Sequence, residues 1–276
     1  MSDILTNWRQ GRGLPGVLAI DGHIHIGEWP HAATFPDAQT AAEESVAFLD
    51  ANGIELACAQ SGGYMFAGAD YRLGNDFLLD VCGRIPERMV GFAHINPNDT
   101  RDGVLTELDR MHEAGVRCLK LLNAYQNYPG DGPNLMEVYE YADERGMLIL
   151  NHSWEPDVLR GISQEFTRVD FIFGHYQSSQ DSLLRERPNV YANTWSMFVM
   201  GALDRALSEV GPGKLLMGSD GFLNPLSAGV GPVVFAPVSD EEKRKVLGLT
   251  MARLLDERGV LPECIRARWA DQFPRV

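Results

Sequence analysis

The chain is poor in cysteine, lacks long apolar runs and has fewer basic than acidic residues. Its four cysteines form no Cys-x-x-Cys pair, and Cys58 and Cys118 lie in apolar runs where a free thiol packs as a small hydrophobe. No apolar stretch approaches the roughly 20 residues that cross a bilayer, and the first residues contain no apolar signal-peptide core. The formal charge of −14, without a basic stripe, argues against nucleic acid and anionic membranes as partners. We therefore expect a reduced, cytoplasmic protein.

The composition predicts one ordered domain over residues 1–276, because 45% of the residues are hydrophobic and no linker or low-complexity segment divides the chain. Short apolar runs alternate with longer amphipathic ones. The predicted strands are Val17–Ile20, Ile54–Ala59, Met89–Ile95, Val116–Leu121, Met147–Leu150, Val169–Phe173, Val190–Asn193 and Leu215–Gly218. The predicted helices are Ala41–Asn52, Tyr71–Arg84, Arg101–Ala114, Asn134–Arg145, Pro156–Ile162, Ser182–Arg187, Gly201–Val210 and Asp240–Arg258.

Eight strand–helix units in series predict a (β/α)8 TIM barrel. The strands are continuously apolar, as expected of parallel strands that are covered on both faces. Eight units in about 250 residues match the usual size of such a barrel. A doubly wound open sheet is the alternative, but no Gly-x-Gly-x-x-Gly follows the first strand.

The stretch Asp21-Gly22-His23-Ile24-His25 follows the first apolar run. Side chains two residues apart on a strand point to the same face, so both imidazoles can reach one metal ion. Two polar residues that close a strand are the alternative explanation, because a His-x-His pair is a weak signal by itself.

Further polar residues follow the other predicted strands, and in a barrel of this kind the carboxyl ends of the strands form the active site. These residues are His94 and Asn96, Lys120, Asn151 and His152, His175, Asn193 and Trp195, and Asp220. The remaining histidines, His31 and His112, fall in a loop and in a helix. For His94 we favour a structural role, since the turn at Asn96-Pro97-Asn98 accounts for the polarity there.

Four of these positions meet the requirements of a catalytic metal site, which uses three or four nitrogen and oxygen ligands and an open position. The candidate ligands are His23, His25, His152 and Asp220. His175 is expected beside them as a group that transfers protons. The predicted cofactor is one divalent ion, zinc before manganese or iron.

The chain resembles the amidohydrolase superfamily, and more closely the amidohydrolase-2 group of metal-dependent hydrolases and decarboxylases. The matching stretches are Asp21-Gly-His-Ile-His25, Gly115-Val-Arg-Cys-Leu-Lys-Leu121, Asn151-His152, Gly174-His175 and Gly218-Ser-Asp220. The resemblance extends from Val17 to Leu255. It implies that Asp220 both binds the metal and takes a proton from water, and that His175 orients the substrate or acts as acid or base. The chain departs from the group by having Ser153 after His152 and Tyr176 after His175, which indicates a reshaped pocket.

Lys120 has three interpretations. It is a plain strand-end lysine, a binder of a substrate carboxylate, or a carboxylated bridge to a second metal as in binuclear relatives. We favour a single metal, because the group that the chain resembles mostly uses one.

Aromatic residues in the loops after the strands indicate a pocket for a flat substrate. Those predicted to bind it are Trp29, Tyr125, Trp154 and Trp195, and Tyr64 and Tyr176 lie in similar loops. The apolar segment 222–237 follows the eighth strand and is a candidate lid, a subunit contact or a loop packed on its own core.

The leading functional hypothesis is a hydrolase in which metal-activated water attacks a lactone, ester or amide carbonyl of a small substrate. A non-oxidative decarboxylase of an aromatic or enoic acid is the alternative, and it would use every one of these ligands. The third hypothesis is a barrel that binds a small molecule without catalysis. The complete set of candidate metal ligands argues against it. The sequence does not fix the substrate, and it leaves a homodimer open.

Overall fold

Eight parallel strands alternate with helices in the computed structural model, which describes residues 2–27, 35–62 and 70–272. The strands are β1 Ile20–Ile26, β2 Leu56–Ser61, β3 Met89–His94, β4 Cys118–Leu121, β5 Leu148–Asn151, β6 Asp170–Phe173, β7 Val190–Asn193 and β8 Leu215–Leu216. The α-helices are α1 Asp3–Arg9, α2 Ala38–Ala51, α3 Tyr71–Arg84, α4 Arg101–Glu113, α5 Pro133–Arg145, α6 Pro156–Glu165, α7 Asp181–Glu186, α8 Ala202–Val210, α9 Ser227–Phe235, α10 Asp240–Arg244, α11 Thr250–Asp256 and α12 Glu263–Arg268.

The strands pair in chain order from β1 to β8, and every pair is parallel. A parallel bridge joins Ile24 to Gly221, and the Gly22 amide donates to the Met217 carbonyl at 2.8 Å, so the last strand returns to the first. The result is a nearly closed (β/α)8 barrel, which confirms the predicted fold. No helix within the described ranges is long and apolar enough to span a membrane.

Local sequence explains where several elements begin and end. Thr100 caps α4 by accepting from the Gly103 amide, and Gly146 ends α5 with a left-handed φ of 60°, which glycine adopts without strain. The predicted bounds of α3 and β7 agree with the structure. The predicted helix over Asp240–Arg258 is interrupted by a π-helical stretch, Lys245–Leu249, between α10 and α11.

Side chains of alternate strand residues fill the lower barrel with an apolar core. Phe92, Cys118 and Leu150 belong to it, and Trp269 of the C-terminal segment packs against the same cluster. The two cysteines that the sequence placed in apolar runs, Cys58 and Cys118, are fully buried there as free thiols. Because strands alternate with period two, the next inward positions of β3, β4 and the end of β5 are His94, Lys120 and His152, so the polar site lies directly above this core.

The segment 222–237 contains a helix that the sequence did not predict. Gly229, Gly231 and Pro232 lie inside α9. Because glycine and proline have low helix propensity, the sequence alone did not predict this helix. Val230, Val233 and Val234 of this helix are fully buried, so this part of the segment packs on the barrel's own core.

Candidate metal centre

A local irregularity in β1 turns both histidines into the barrel. Asp21 pairs with Ala57 and Ile24 with Ala59, so β1 carries one more residue than β2 over this stretch. Before this bulge the even-numbered Ile20 faces the lower core, and after it the odd-numbered His23 and His25 face the polar site. A side chain on Gly22 would come within about 3 Å of Met251, Asn193 and the Met217 carbonyl, so only glycine fits there.

The bulge is held by the carboxylate of Asp21. Its Oδ1 accepts from the His23 amide at 3.1 Å and from the Ser219 amide at 3.0 Å, and so it links β1 to the segment after β8. Burial raises the pKa of this carboxyl to about 7. Since both linked segments carry candidate ligands, Asp21 fixes their relative position.

Three donor atoms converge at this junction. Asp220 Oδ1 lies 3.0 Å from His25 Nε2 and 3.4 Å from His23 Nε2, and the three ligand atoms all lie within 4.8 Å of one another. Donors held at 2.0–2.2 Å from one tetrahedral ion are about 3.4 Å apart. The spacing and the two-nitrogen, one-oxygen set therefore fit a divalent metal ion.

The protonation states of the histidines also suit a metal. His23 Nδ1 donates to the Gly174 carbonyl at 3.3 Å, which leaves the lone pair on the Nε2 that faces the centre. Burial, with the nearby Lys120, holds the pKa of His23 well below its usual value, and burial lowers the pKa of His25. Both imidazoles are therefore neutral at physiological pH, as ligands must be.

Asp220 is held in an unusual backbone conformation after β8. Its φ is 56°, which is rare for a residue with a side chain and common at functional sites. Burial opposes ionisation, but the hydrogen bond with His25 and the adjacent imidazole of His23 outweigh it and hold the pKa of Asp220 below its usual range. The carboxylate is therefore ionised, as a ligand or proton acceptor requires.

His175 and His152 lie beside the three-residue cluster. His175 Nε2 is 4.0 Å from Asp220 Oδ2, and it is buried without a hydrogen-bond partner among the described residues. The rings of His152 and His175 are 4.2 Å apart, but His152 Nε2 bonds the Tyr125 hydroxyl at 2.9 Å. Burial lowers the pKa of both, to about 4 for His152 and about 3 for His175. The prediction of His152 as a fourth ligand stays a prediction.

Lys120 and Gln60 complete the inner wall of the site. Lys120 is fully buried, its Nζ lies 3.2 Å from His23 Nε2, and burial lowers its pKa to about 7. Gln60 of β2, which the sequence analysis passed over, places its Nε2 3.4 Å from His25 Nε2. Gln60 lies near the end of β2, so the rule that was applied to the other strands, which selects the polar residues at the strand end, also selects Gln60.

His94 is fully buried at the end of β3. Its backbone amide donates to Asn75 Oδ1 at 2.8 Å, and its Nε2 lies 3.0 Å from Gln126 Nε2. These contacts agree with the structural role favoured from the sequence.

The predicted aromatic residues occupy different environments. Trp195 lies 5.9 Å from the His175 ring, and Tyr125 is exposed beside His152. Trp154 is buried: its indole donates to the Tyr139 hydroxyl at 3.1 Å, and its ring packs on Phe171. Trp29 and Tyr64 lie outside the described residues.

We expect Asp21→Leu to weaken Mn²⁺ binding about 10- to 100-fold, the usual cost of losing a group that orients ligands. It also leaves two buried amides without their acceptor, which costs about 1–3 kcal/mol each. Asp21→Asn keeps an acceptor oxygen and should retain most of the affinity. Isothermal titration calorimetry measures the affinity and thermal unfolding the stability. An unchanged Mn²⁺ affinity in Asp21→Leu would show that Asp21 does not position the ligands.

A (β/α)8 barrel with a cluster of candidate metal ligands at the carboxyl ends of its strands is typical of metal-dependent TIM-barrel enzymes. The chain belongs to the amidohydrolase family, whose model (Amidohydro_2) matches residues 20–256. No curated protein matches the sequence significantly.

Solved structures with the same fold include three decarboxylases. A 5-carboxyvanillate decarboxylase from Sphingomonas paucimobilis is 15% identical with a TM-score of 0.68, over 87% of this chain and 99% of that one. A 2,6-dihydroxybenzoate decarboxylase from Rhizobium is 16% identical with a TM-score of 0.69, over 88% and 99%. A dihydroxybenzoic acid decarboxylase from Polaromonas, with bound manganese and 2-nitroresorcinol, is 16% identical with a TM-score of 0.71, over 89% and 99%. At these identities the likeness establishes the fold.

Proposed function

We propose that this chain is a metal-dependent, non-oxidative decarboxylase of an aromatic or enoic acid. The observation that carries the proposal is the position of the His23–His25–Asp220 cluster beside the ring of Trp195, with His175 between them. The decarboxylases with the same fold and the manganese in one of them support it. Hydrolysis, the leading hypothesis from the sequence, becomes the second candidate.

His23, His25 and Asp220 would hold the ion, with His152 as a further candidate. A divalent ion supplies positive charge that holds an anionic oxygen of the substrate. When the bond to the carboxylate carbon breaks, its electron pair stays on the substrate carbon and carbon dioxide leaves. That carbon then needs a proton. Because Asp220 is ionised and His175 is neutral in the resting site, the pair formed by His175 Nε2 and Asp220 Oδ2 would first take up a proton from solvent and then pass it to the carbon. Trp195 would pack against the substrate ring.

Hydrolysis of a lactone, ester or amide would use the same side chains. The ionised Asp220 favours it, because a carboxylate can take a proton from an attacking water. A barrel that only binds a ligand is the least supported candidate, because Asp220 and His175 are both present and adjacent.

The direct test compares product release from two substrate sets. Protein loaded with Mn²⁺ or Zn²⁺ is incubated with 2,6-dihydroxybenzoate and 5-carboxyvanillate, and separately with δ-valerolactone and 4-nitrophenyl acetate. We expect carbon dioxide from an aromatic acid and no metal-dependent acid release from the lactone or ester. Asp220→Asn serves as the background control. Metal-dependent hydrolysis without decarboxylation would overturn the proposal in favour of the second candidate.

Lys120 is proposed to anchor a substrate carboxylate by moving its ammonium group from His23 to the substrate. We expect Lys120→Met to raise KM about 10- to 100-fold, since a hydrogen bond to a charged group contributes about 1.5–3 kcal/mol. Its Mn²⁺ affinity should not fall, because the ammonium and the metal compete for His23 Nε2. Steady-state kinetics and calorimetry measure the two quantities. A fall from about two bound ions to one would instead identify Lys120 as a metal bridge.

We also propose a reducing, cytoplasmic environment and zinc or manganese as the metal. The four free thiols support the first part. The nitrogen and oxygen ligands suit either metal.

A further inference from the structure

The backbone that carries His175 is hydrogen-bonded on both sides of this residue. Before it, the Gly174 amide donates to the Asn151 carbonyl at 2.7 Å. After it, the Tyr176 amide donates to the Asn193 carbonyl at 3.0 Å. The imidazole Nε2, by contrast, has no hydrogen-bond partner among the residues that the structure describes. The direction of this ring therefore depends on the backbone and on the packing around it.

A closed set of hydrogen bonds holds the side chain of the next residue, Tyr176. Its hydroxyl donates to Asp181 Oδ1 at 2.5 Å and accepts from Arg205 Nη2 at 2.6 Å. Arg205 Nη1 donates to Asp181 Oδ2 at 3.1 Å, which closes the set. Because Asp181 begins α7 and Arg205 lies in α8, this set, here called the Tyr176 clamp, ties the segment after β6 to both helices.

The protonation states in the Tyr176 clamp suit these bonds. Tyr176 and Asp181 are buried, and burial raises the pKa of Tyr176, so the hydroxyl keeps the proton that it donates. The bond to Asp181 raises the pKa of Arg205, which stays charged. Hydrogen bonds with a charged partner are roughly twice as strong as those between neutral groups. The clamp therefore holds the Tyr176 side chain more firmly than packing alone.

We propose that Tyr176, Asp181 and Arg205 are positioning residues that set the direction of the His175 imidazole toward Asp220. Their importance for turnover rests on the proposed function, in which His175 passes a proton. The peptide that joins the two residues is planar and rigid, so anchoring Tyr176 on the helices restricts where His175 can point. His175 Nε2 lies 4.0 Å from Asp220 Oδ2. A displacement of about 1 Å at such a group can lower a rate about 100-fold.

A second ion pair joins the same two helices without contacting Tyr176. Arg185 of α7 donates to Glu209 of α8 at 2.7 Å. The Arg185 side chain is 49% exposed, close to the 46% of Arg205. Arg185→Ala is therefore the matched control for Arg205→Ala. If the Tyr176 clamp acted only by joining the helices, both substitutions would have the same effect.

Steady-state kinetics separate positioning from binding. With Mn²⁺ and the substrate that wild type converts, Tyr176→Phe and Arg205→Ala should each lower kcat about 10- to 100-fold. KM should stay near the wild-type value, because the substrate contacts remain. Arg205→Lys keeps the charge and should recover part of the loss. The double variant should lose no more than the weaker single one, because both substitutions break the same clamp. Arg185→Ala should keep the wild-type kcat.

Nuclear magnetic resonance tests the direction of the ring without any reaction. Histidine ring signals are recorded in ¹⁵N-labelled protein, and that of His175 is identified by its loss in His175→Gln. It should shift or broaden in Tyr176→Phe and Arg205→Ala and stay in place in Arg185→Ala. The signal of His112 on α4 is the internal reference. Circular dichroism confirms that each variant is folded.

Three results would overturn the proposal. These are an unmoved His175 signal in both clamp variants, an equal change in Arg185→Ala, and a wild-type kcat in both clamp variants. Failure of the proposed function has a different signature. A wild type that converts neither an aromatic acid nor a lactone or ester, but whose His175 signal moves only in the clamp variants, would contradict the proposed function and support the clamp.

Discussion

Asp220→Asn is expected to reduce turnover at least about 10³-fold, within the range of about 10²- to 10⁴-fold for loss of a group that transfers protons. The amide has nearly the same shape as the carboxylate, but it cannot take a proton, and it is a weaker ligand for a divalent ion. Asp220 Oδ1 is shared between His23 and His25, so the substitution also removes the negative charge that faces both imidazoles. Steady-state kinetics with saturating Mn²⁺ measure the effect.

Asp102→Asn is the control for this substitution, because Asp102 is an exposed residue in the first turn of α4 and lies outside the site. It should keep wild-type turnover. If Asp220→Asn lost less than about 10-fold, neither proton transfer nor metal binding would depend on this carboxylate. The account would then have to place the chemistry elsewhere in the barrel.

The double variant His23→Ala/His25→Ala is expected to lose all detectable activity. It removes two of the three converging donors, and one remaining carboxylate does not hold a divalent ion tightly. Added Mn²⁺ up to about 1 mM should not restore turnover, since the ligand set itself is missing. Activity is measured across a Mn²⁺ titration and folding by circular dichroism.

His112→Ala is the matched control, because His112 lies in the last turn of α4 and is not one of the candidate ligands. It should titrate with Mn²⁺ as wild type does. Recovery of the double variant at high Mn²⁺ to wild-type turnover would mean that these histidines are not the ligands.

The fold could be predicted from the sequence because its signals are local and repeated. Each strand is an apolar run, and the ends of helices such as α4 and α5 have glycines that stop them. The helix α9 escaped prediction because its stability comes from burying three valines against the barrel, which overrides its glycines and proline.

The sequence predicted which residues belong to the site better than it predicted how those residues are arranged in space. The same-face argument found His23 and His25, but the bulge that aims them depends on Asp21 reaching Ser219, a contact between distant parts of the chain. Trp154 illustrates the converse. Its position after a strand indicated the pocket, whereas its ring packs into the core beside Phe171, which only the three-dimensional structure reveals.

The central claim is that His23, His25 and Asp220 form a centre for one divalent metal ion. Elemental analysis of wild-type protein grown with added zinc and manganese, beside His23→Ala/His25→Ala, tests it most directly. The account predicts about one equivalent of metal per chain in wild type, lost in the double variant. No bound metal in wild type, or an equal amount in both proteins, would contradict it.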